Sequence, residues 1–76
     1  MFGIVNPLPG YVATDVDETT DPKYYGFVDA SGKWYIMQST TTGSVMAFRY
    51  VTGNSGYAAA WSGKTGLTYK IINEVV

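Results

Sequence analysis

The sequence predicts a mostly β fold, either a small antiparallel meander or a partly open barrel, with an extended N-terminal arm. Short runs of aromatic and β-branched residues alternate with Gly, Ser, Thr and Asn from residue 24 onward, which is typical of β-hairpins. The chain has 76 residues, with seven Tyr, two Trp and three Phe but no Cys and no His. Because disulfides and the commonest metal ligands are excluded, we expect aromatic side chains and oligomerisation to stabilise the fold.

Residues 1–22 differ in composition from the rest of the chain. They include Pro7, Pro9 and Pro22, which disfavour a regular helix or a central strand. Four acids and no bases give this segment a charge of −4, whereas five bases and two acids give residues 23–76 a charge of +3. We therefore predict an extended acidic arm over residues 1–22 and a small β domain over residues 23–76.

The arm also carries apolar residues that such a short, proline-containing segment cannot bury by itself. A solvated, disordered segment is one interpretation. We favour the alternative, in which the arm lies along a neighbouring subunit and its removal weakens assembly but leaves the β domain folded. The residues expected to anchor it are Phe2, Ile4, Leu8 and Tyr11.

The first predicted hairpin joins a strand over residues 24–29 to a strand over residues 33–39. Residues 29–33 fit a three-residue loop in which Gly32 takes the left-handed conformation. The resulting cross-strand pairs are Phe27 with Tyr35 and Tyr25 with Met37.

A second hairpin follows, with a four-residue turn over residues 40–43 and a third strand over residues 44–52. Its predicted pairs are Tyr35 with Phe48, Met37 with Met46, Lys33 with Tyr50 and Trp34 with Arg49.

These two registers divide the strands into two faces. One is uniformly apolar: Tyr25, Phe27, Tyr35, Met37, Met46 and Phe48. The other is mixed: Tyr24, Gly26, Val28, Trp34, Ile36, Gln38, Val45, Ala47 and Arg49. Because the mixed face is still too apolar for solvent, we expect the rest of the chain or another subunit to cover it.

The C-terminal third leaves more alternatives open. Residues 57–61 are either a short helix, with Tyr57 and Trp61 stacked and Gly63 ending it, or an extended crossing. Residues 67–72 alternate in polarity and predict a last strand that pairs with the meander or closes a small barrel.

The inventory of reactive residues argues against an enzyme. Without His and Cys, imidazole acid–base chemistry, thiol nucleophiles and the usual zinc sites are excluded. Residues 15–21 place oxygen ligands at alternate positions, as a calcium loop does, but Thr20 stands where an EF-hand requires Gly. We expect no catalytic residue, cofactor or metal, and we interpret the acids as a solvated or partner-seeking surface.

Composition also bears on partners and location. No apolar run approaches the roughly 18–20 residues of a membrane span, so we expect a soluble chain without a membrane partner. A net charge of −1 offers little attraction to nucleic acid. The absence of thiols leaves the compartment open.

Trp34 and Arg49 are the strongest candidates for a binding surface. In the predicted register the guanidinium lies over the indole, with Ile36 beside it, as in many interface anchors. In a second interpretation Trp61 or the last strand covers Trp34 as ordinary core. In a third, Trp34 and Trp61 stack on a sugar or on single-stranded nucleic acid.

One segment carries a family resemblance. Residues 24–37, Tyr-Tyr-Gly-Phe-Val-Asp-Ala-Ser-Gly-Lys-Trp-Tyr-Ile-Met, resemble small proteins encoded by tailed bacteriophages. The resemblance continues through Phe48-Arg49-Tyr50, Ala60-Trp61, Lys64, Leu67 and Tyr69. It implies a virion-associated structural protein that is present in many copies, lacks enzymatic activity and is located in the virion.

Together these features favour a non-enzymatic structural protein of a phage particle, such as a capsid decoration or cement protein. It is expected to act through protein–protein contacts and to form a homo-oligomer. The alternative is a small carbohydrate-binding or single-stranded-nucleic-acid-binding β module that uses exposed aromatic residues.

Overall fold

The computed structural model describes residues 8–75 and contains one four-stranded antiparallel sheet. Its strands, in spatial as well as chain order, are Val12–Asp17 (β1), Lys23–Val28 (β2), Trp34–Thr42 (β3) and Val45–Gly53 (β4). A short helix, Tyr57–Ser62 (α1), follows, and then two 3-10 helices, Lys64–Gly66 and Ile72–Glu74. The sheet is an open meander, so the predicted mostly β fold is confirmed in its meander form.

The first hairpin has the predicted register. Phe27 pairs with Tyr35 and Tyr25 with Met37. The N–H of Asp29 donates to the carbonyl of Lys33 at 2.9 Å, and its carboxylate accepts from the backbone N–H groups of Ser31 and Lys33. Gly32 has a φ of +96°, which is the left-handed conformation that the loop requires.

The predicted register of the second hairpin is wrong by four residues. Tyr35 pairs with Thr52 instead of Phe48, and Met37 pairs with Tyr50 instead of Met46. The strands continue through residue 42 to a two-residue loop of Gly43 and Ser44, because Gly43 with a φ of +62° provides the positive φ that so tight a turn needs. Since four is an even shift, every side chain keeps its predicted face although its partner changes.

Residues 12–17 of the N-terminal segment are part of the sheet. Residues 12–17, predicted to belong to a separate arm, form β1 and pair antiparallel with β2, with an irregularity at Thr14 between two runs of paired residues. Leu8 and Tyr11, which precede the strand, pack against the sheet's own buried residues. Within the described residues, the segment is therefore an edge strand of the same domain.

The C-terminal predictions are partly confirmed. Residues 57–62 are helical, as one of the two interpretations had it, and Gly63 follows the helix. The predicted last strand over residues 67–72 is wrong. Lys70 alone makes a bridge to Tyr50, and the rest of that stretch is irregular or 3-10 helical.

One face of the sheet, called here the tyrosine face, is a cluster of large side chains. Phe27 stacks on Tyr35 with ring centroids 4.5 Å apart, and Tyr11 meets Tyr35 edge-on at 5.1 Å. Residues from both ends of the described chain cover the cluster. Its buried members are Tyr25, Phe27, Tyr35, Met37 and Tyr50, and its cover is Leu8, Tyr11, Ile72 and Val75.

The opposite face, called the tryptophan face, is covered by α1 and the residues that follow it. Its buried members are Tyr24, Trp34 and Ile36. The indole N–H of Trp34 donates to the carbonyl of Ser55 at 2.7 Å. The cover consists of partly buried residues that include Tyr57, Ala60, Trp61, Leu67 and Tyr69. The expectation that the mixed face is covered is therefore met by the chain itself.

Two glycines allow aromatic rings of the tryptophan face to lie directly on the sheet backbone. A Cβ on Gly26 would overlap the hydroxyl of Tyr57 and lie 3.0 Å from a ring carbon of Trp61. A Cβ on Gly53 would overlap the indole of Trp34, at 2.8 Å from its nitrogen. Both positions must be glycine because the aromatic rings pack directly against the backbone.

We expect Gly26→Ala and Gly53→Ala each to lower the free energy of unfolding by about 1–3 kcal/mol or more, since the new methyl group forces the rings away. Urea unfolding followed by circular dichroism measures the effect. Gly66→Ala is the matched control, because a Cβ there meets nothing within 4 Å. Equal stability of all three variants would contradict this account of the close approach.

Removal of residues 1–22 is expected to destabilise the domain strongly, because it deletes β1 and the Leu8 and Tyr11 cover. A domain of this size has a total stability of about 4–11 kcal/mol, so the truncated chain should be largely unfolded. The readout is amide dispersion in NMR spectra. Val12→Thr, which changes only an exposed side chain, is the control. A truncated chain as stable as the full one would restore the separate-arm interpretation.

Candidate protein-interaction surface

Trp34 and Ile36, two of the residues predicted to bind a partner, are inside the domain. Their exposed fractions are 7 % and 0 %. Trp34 lies opposite Gly53, not Arg49, and its ring approaches Tyr57 at 6.3 Å. The core interpretation of Trp34 is therefore the correct one, and the predicted patch of Trp34 with Arg49 does not form.

Arg49 is exposed and lies opposite Gln38. Its guanidinium Nη1 turns back and donates to the carbonyl of the preceding residue, Phe48, at 2.9 Å. The side chain thus covers a backbone acceptor at the edge of the sheet.

Trp61 is half-buried, and a lysine of the same chain occupies its ring face. Lys64 Nζ lies 4.5 Å from the centre of the Trp61 ring and 5.8 Å from that of Tyr24. The same amine is 3.3 Å from the carboxylate of Asp17. This cation–π and ionic contact joins β1 to the cover of the tryptophan face.

The predicted anchors of the arm fall into two groups. Leu8 and Tyr11 contact the domain's own tyrosine face. Phe2 and Ile4 lie outside the described residues.

The acidic residues contact their own domain. The hydroxyl of Tyr57 donates to Asp15 at 2.8 Å and that of Tyr25 donates to Glu18 at 2.7 Å. Asp21 accepts from the backbone N–H of Thr41 at 3.2 Å. Residues 8–75 contain no group of three or more acidic side chains placed to hold a metal ion. The acidic segment therefore interacts with the body of the same chain, on both faces of the sheet.

The largest exposed apolar side chains on the second hairpin lie where it extends past β2. Lys23 of β2 pairs with Ser39, which in turn lies opposite Phe48, and residues 40–47 continue beyond this point. Residues 40–48 are called here the tip ribbon. Val45 is 66 % exposed, Met46 46 % and Phe48 36 %. Sequence reasoning assigned Met46 and Phe48 to the dry face correctly but missed their exposure. The signal for it was the β-branched run at residues 40–42, which favours strand over turn.

The outer edge of β4 is open along the tip ribbon. Tyr50 exchanges two backbone hydrogen bonds with Lys70, at 2.6 and 2.8 Å, so the N–H and C=O of Tyr50 point away from β3. Because this direction alternates along an antiparallel strand, the same groups of Phe48 and Met46 also point outward. Within residues 8–75, no strand pairs with this part of the edge.

The opposite edge is protected. β1 is short and irregular at Thr14, whose hydroxyl donates to the carbonyl of Val12 at 3.0 Å. Asp15 and Asp17 place carboxylates along it. Irregularities and charges of this kind prevent edge-to-edge pairing, so β4 is the edge that remains available to a partner.

Several buried and half-buried tyrosines carry raised pKa values. Burial, reinforced by the hydrogen bond to Glu18, raises the pKa of Tyr25 to about 12. Burial also raises the pKa of Tyr35, Tyr50, Tyr57 and Tyr69, and Asp15 adds to the effect at Tyr57. The neutral phenol is thus the form that both faces require.

Comparison with known proteins adds no relative: no family model, curated protein or solved structure matches the chain. The helices of residues 8–75 are not long and apolar enough to cross a membrane.

Alkaline pH should unfold the domain cooperatively. Since the folded pKa values lie above the unfolded value of 10.0, the stabilisation is complete below pH 10 and is lost as pH rises through the folded values. Tyrosinate absorbance, recorded with circular dichroism, should show ionisation and unfolding together. Tyr25→Phe is expected to lower the slope of the unfolding free energy against pH by the amount that corresponds to about one proton. Ionisation of all tyrosines near pH 10 without unfolding would contradict the prediction.

Proposed function

We propose that the protein is a non-enzymatic structural protein that works by protein–protein assembly, and that the assembly is a phage particle in which it is a decoration protein or a similar small component. The phage context is supported by the resemblance of residues 24–37 and the later matching positions to small tailed-phage proteins.

The observation that carries the assembly proposal is the tip ribbon. Both faces of the sheet body are covered by the domain's own chain, yet Val45 on one side of the tip ribbon and Met46 and Phe48 on the other remain exposed beside an open strand edge. Apolar side chains next to unpaired backbone groups are typical of protein-binding surfaces. The chemistry available there is hydrogen bonding and apolar contact.

The geometry supports the ligand-binding alternative less well. A sugar or a nucleotide base needs an open aromatic ring, but Trp34 is buried and Lys64 lies over Trp61. The two rings named for that role are therefore unavailable in the arrangement described, and we propose assembly alone.

Sedimentation velocity over a range of concentrations tests the proposal. We expect the protein to self-associate, and we expect Val45→Lys to reduce the associated fraction because the added charge must be desolvated in the contact. Val12→Lys on β1 is the matched control, since Val12 is 67 % exposed and Val45 66 %. It should associate as the wild type does.

Titrations with glycans and single-stranded oligonucleotides complete the test. An associating protein that ignores both ligands supports the proposal. A monomer that binds either ligand, or equal association by both lysine variants, would overturn it.

A further inference from the structure

We infer that the outer edge of β4 binds the same edge of a second copy of this chain, in an antiparallel pair whose two-fold axis passes near Met46. This inference rests on the proposed function and specifies its contact. The two meanders then form one continuous eight-stranded sheet, with the Met46 and Phe48 side chains of both copies on the same side.

The length of the open edge limits where the two-fold axis of the dimer can lie. Lys70 occupies the outward groups of Tyr50, so a partner strand can pair only from Phe48 toward the tip. Met46 lies inside that open section, and its N–H and C=O point outward by the alternation that Tyr50 establishes. An antiparallel pair centred on Met46 joins the outward N–H and C=O groups of Met46 in the two copies and leaves both Lys70 bridges intact.

The charges on this edge allow pairing with an identical strand. Arg49 is the single charged residue between Val45 and Gly53. In a pair centred on Met46, Arg49 and Arg49 of the partner subunit are six residues apart along the ladder, or about 20 Å at a rise of about 3.4 Å per residue. This exceeds the Debye length of about 8 Å at physiological salt, so their repulsion is screened.

The position of Arg49 is compatible with this pair. Its guanidinium covers the carbonyl of Phe48, but a carbonyl has two lone pairs and can accept a second hydrogen bond. The exposed apolar surface is small for an interface, so we expect a weak, reversible dimer unless further contacts in an assembly strengthen it.

Single-cysteine variants test the geometry directly, because the chain contains no cysteine of its own. Directly opposed residues of a hydrogen-bonded antiparallel pair have Cα atoms about 5.5 Å apart, within the range of a disulfide. Met46→Cys should therefore form a disulfide-linked dimer in oxidised glutathione at least about tenfold faster than Val16→Cys. Val16 is the matched control, because it is 47 % exposed and Met46 46 %.

A second pair of variants needs no covalent bond. Met46→Arg should shift sedimentation toward the monomer, and Val16→Arg should not, with circular dichroism confirming that both remain folded. Equal cross-linking at residues 46 and 16, or wild-type association by Met46→Arg, would overturn the inference.

The outcomes separate this inference from the proposed function. Multimers that are insensitive to residue 46 but are weakened by Val45→Lys leave the assembly function standing and remove the β4 pair. A wild-type chain that is monomeric at every concentration, with no cross-link through residue 46, removes both.

Discussion

The constraint on which the rest of the structure depends is that the central strands β2 and β3 are apolar on both faces. Tyr25, Phe27 and Tyr35 point to one side, and Tyr24, Trp34 and Ile36 point to the other. In a chain of 76 residues, the same polypeptide must supply two covering layers. Leu8, Tyr11, Ile72 and Val75, near the two ends of the described residues, cover the tyrosine face, and α1 with the residues after it covers the tryptophan face. The hairpin tip lies beyond the covered part of the sheet, which is why apolar exposure is found there.

Local chemistry was sufficient to predict the first hairpin. The carboxylate of Asp29 accepts hydrogen bonds from the loop, and Gly32 supplies its positive φ. Both effects lie within the five residues of the loop itself. The second hairpin depends on a choice between two turns that the same residues permit. The register that forms buries Tyr50 against the tyrosine face and leaves Phe48 outside. That preference comes from tertiary packing, which no local pattern contains.

The candidate site was predictable only in part, for the same reason. Sequence alternation assigned Met46 and Phe48 to the correct face, but exposure depends on how far β2 and the covering layers extend beside them. Trp34 is not a surface residue because its indole lies on the bare backbone of Gly53 and is covered by α1, whose aromatic rings rest on Gly26. Asp15 and Asp17 looked solvated because their partners, Tyr57 and Lys64, are distant in sequence. Glu18 looked solvated because only the pairing of β1 with β2 brings the Tyr25 hydroxyl to it.

Because of where the two tryptophans lie, their intrinsic fluorescence reports on one face of the sheet only. Trp34 and Trp61 are the only indoles in the chain, and both belong to the tryptophan face, with Tyr57 in ring contact with each. The tyrosine face contains no indole among its residues. Intrinsic fluorescence therefore reports the docking of α1 on the sheet, whereas loosening of the terminal segments on the other face would leave the emission largely unchanged.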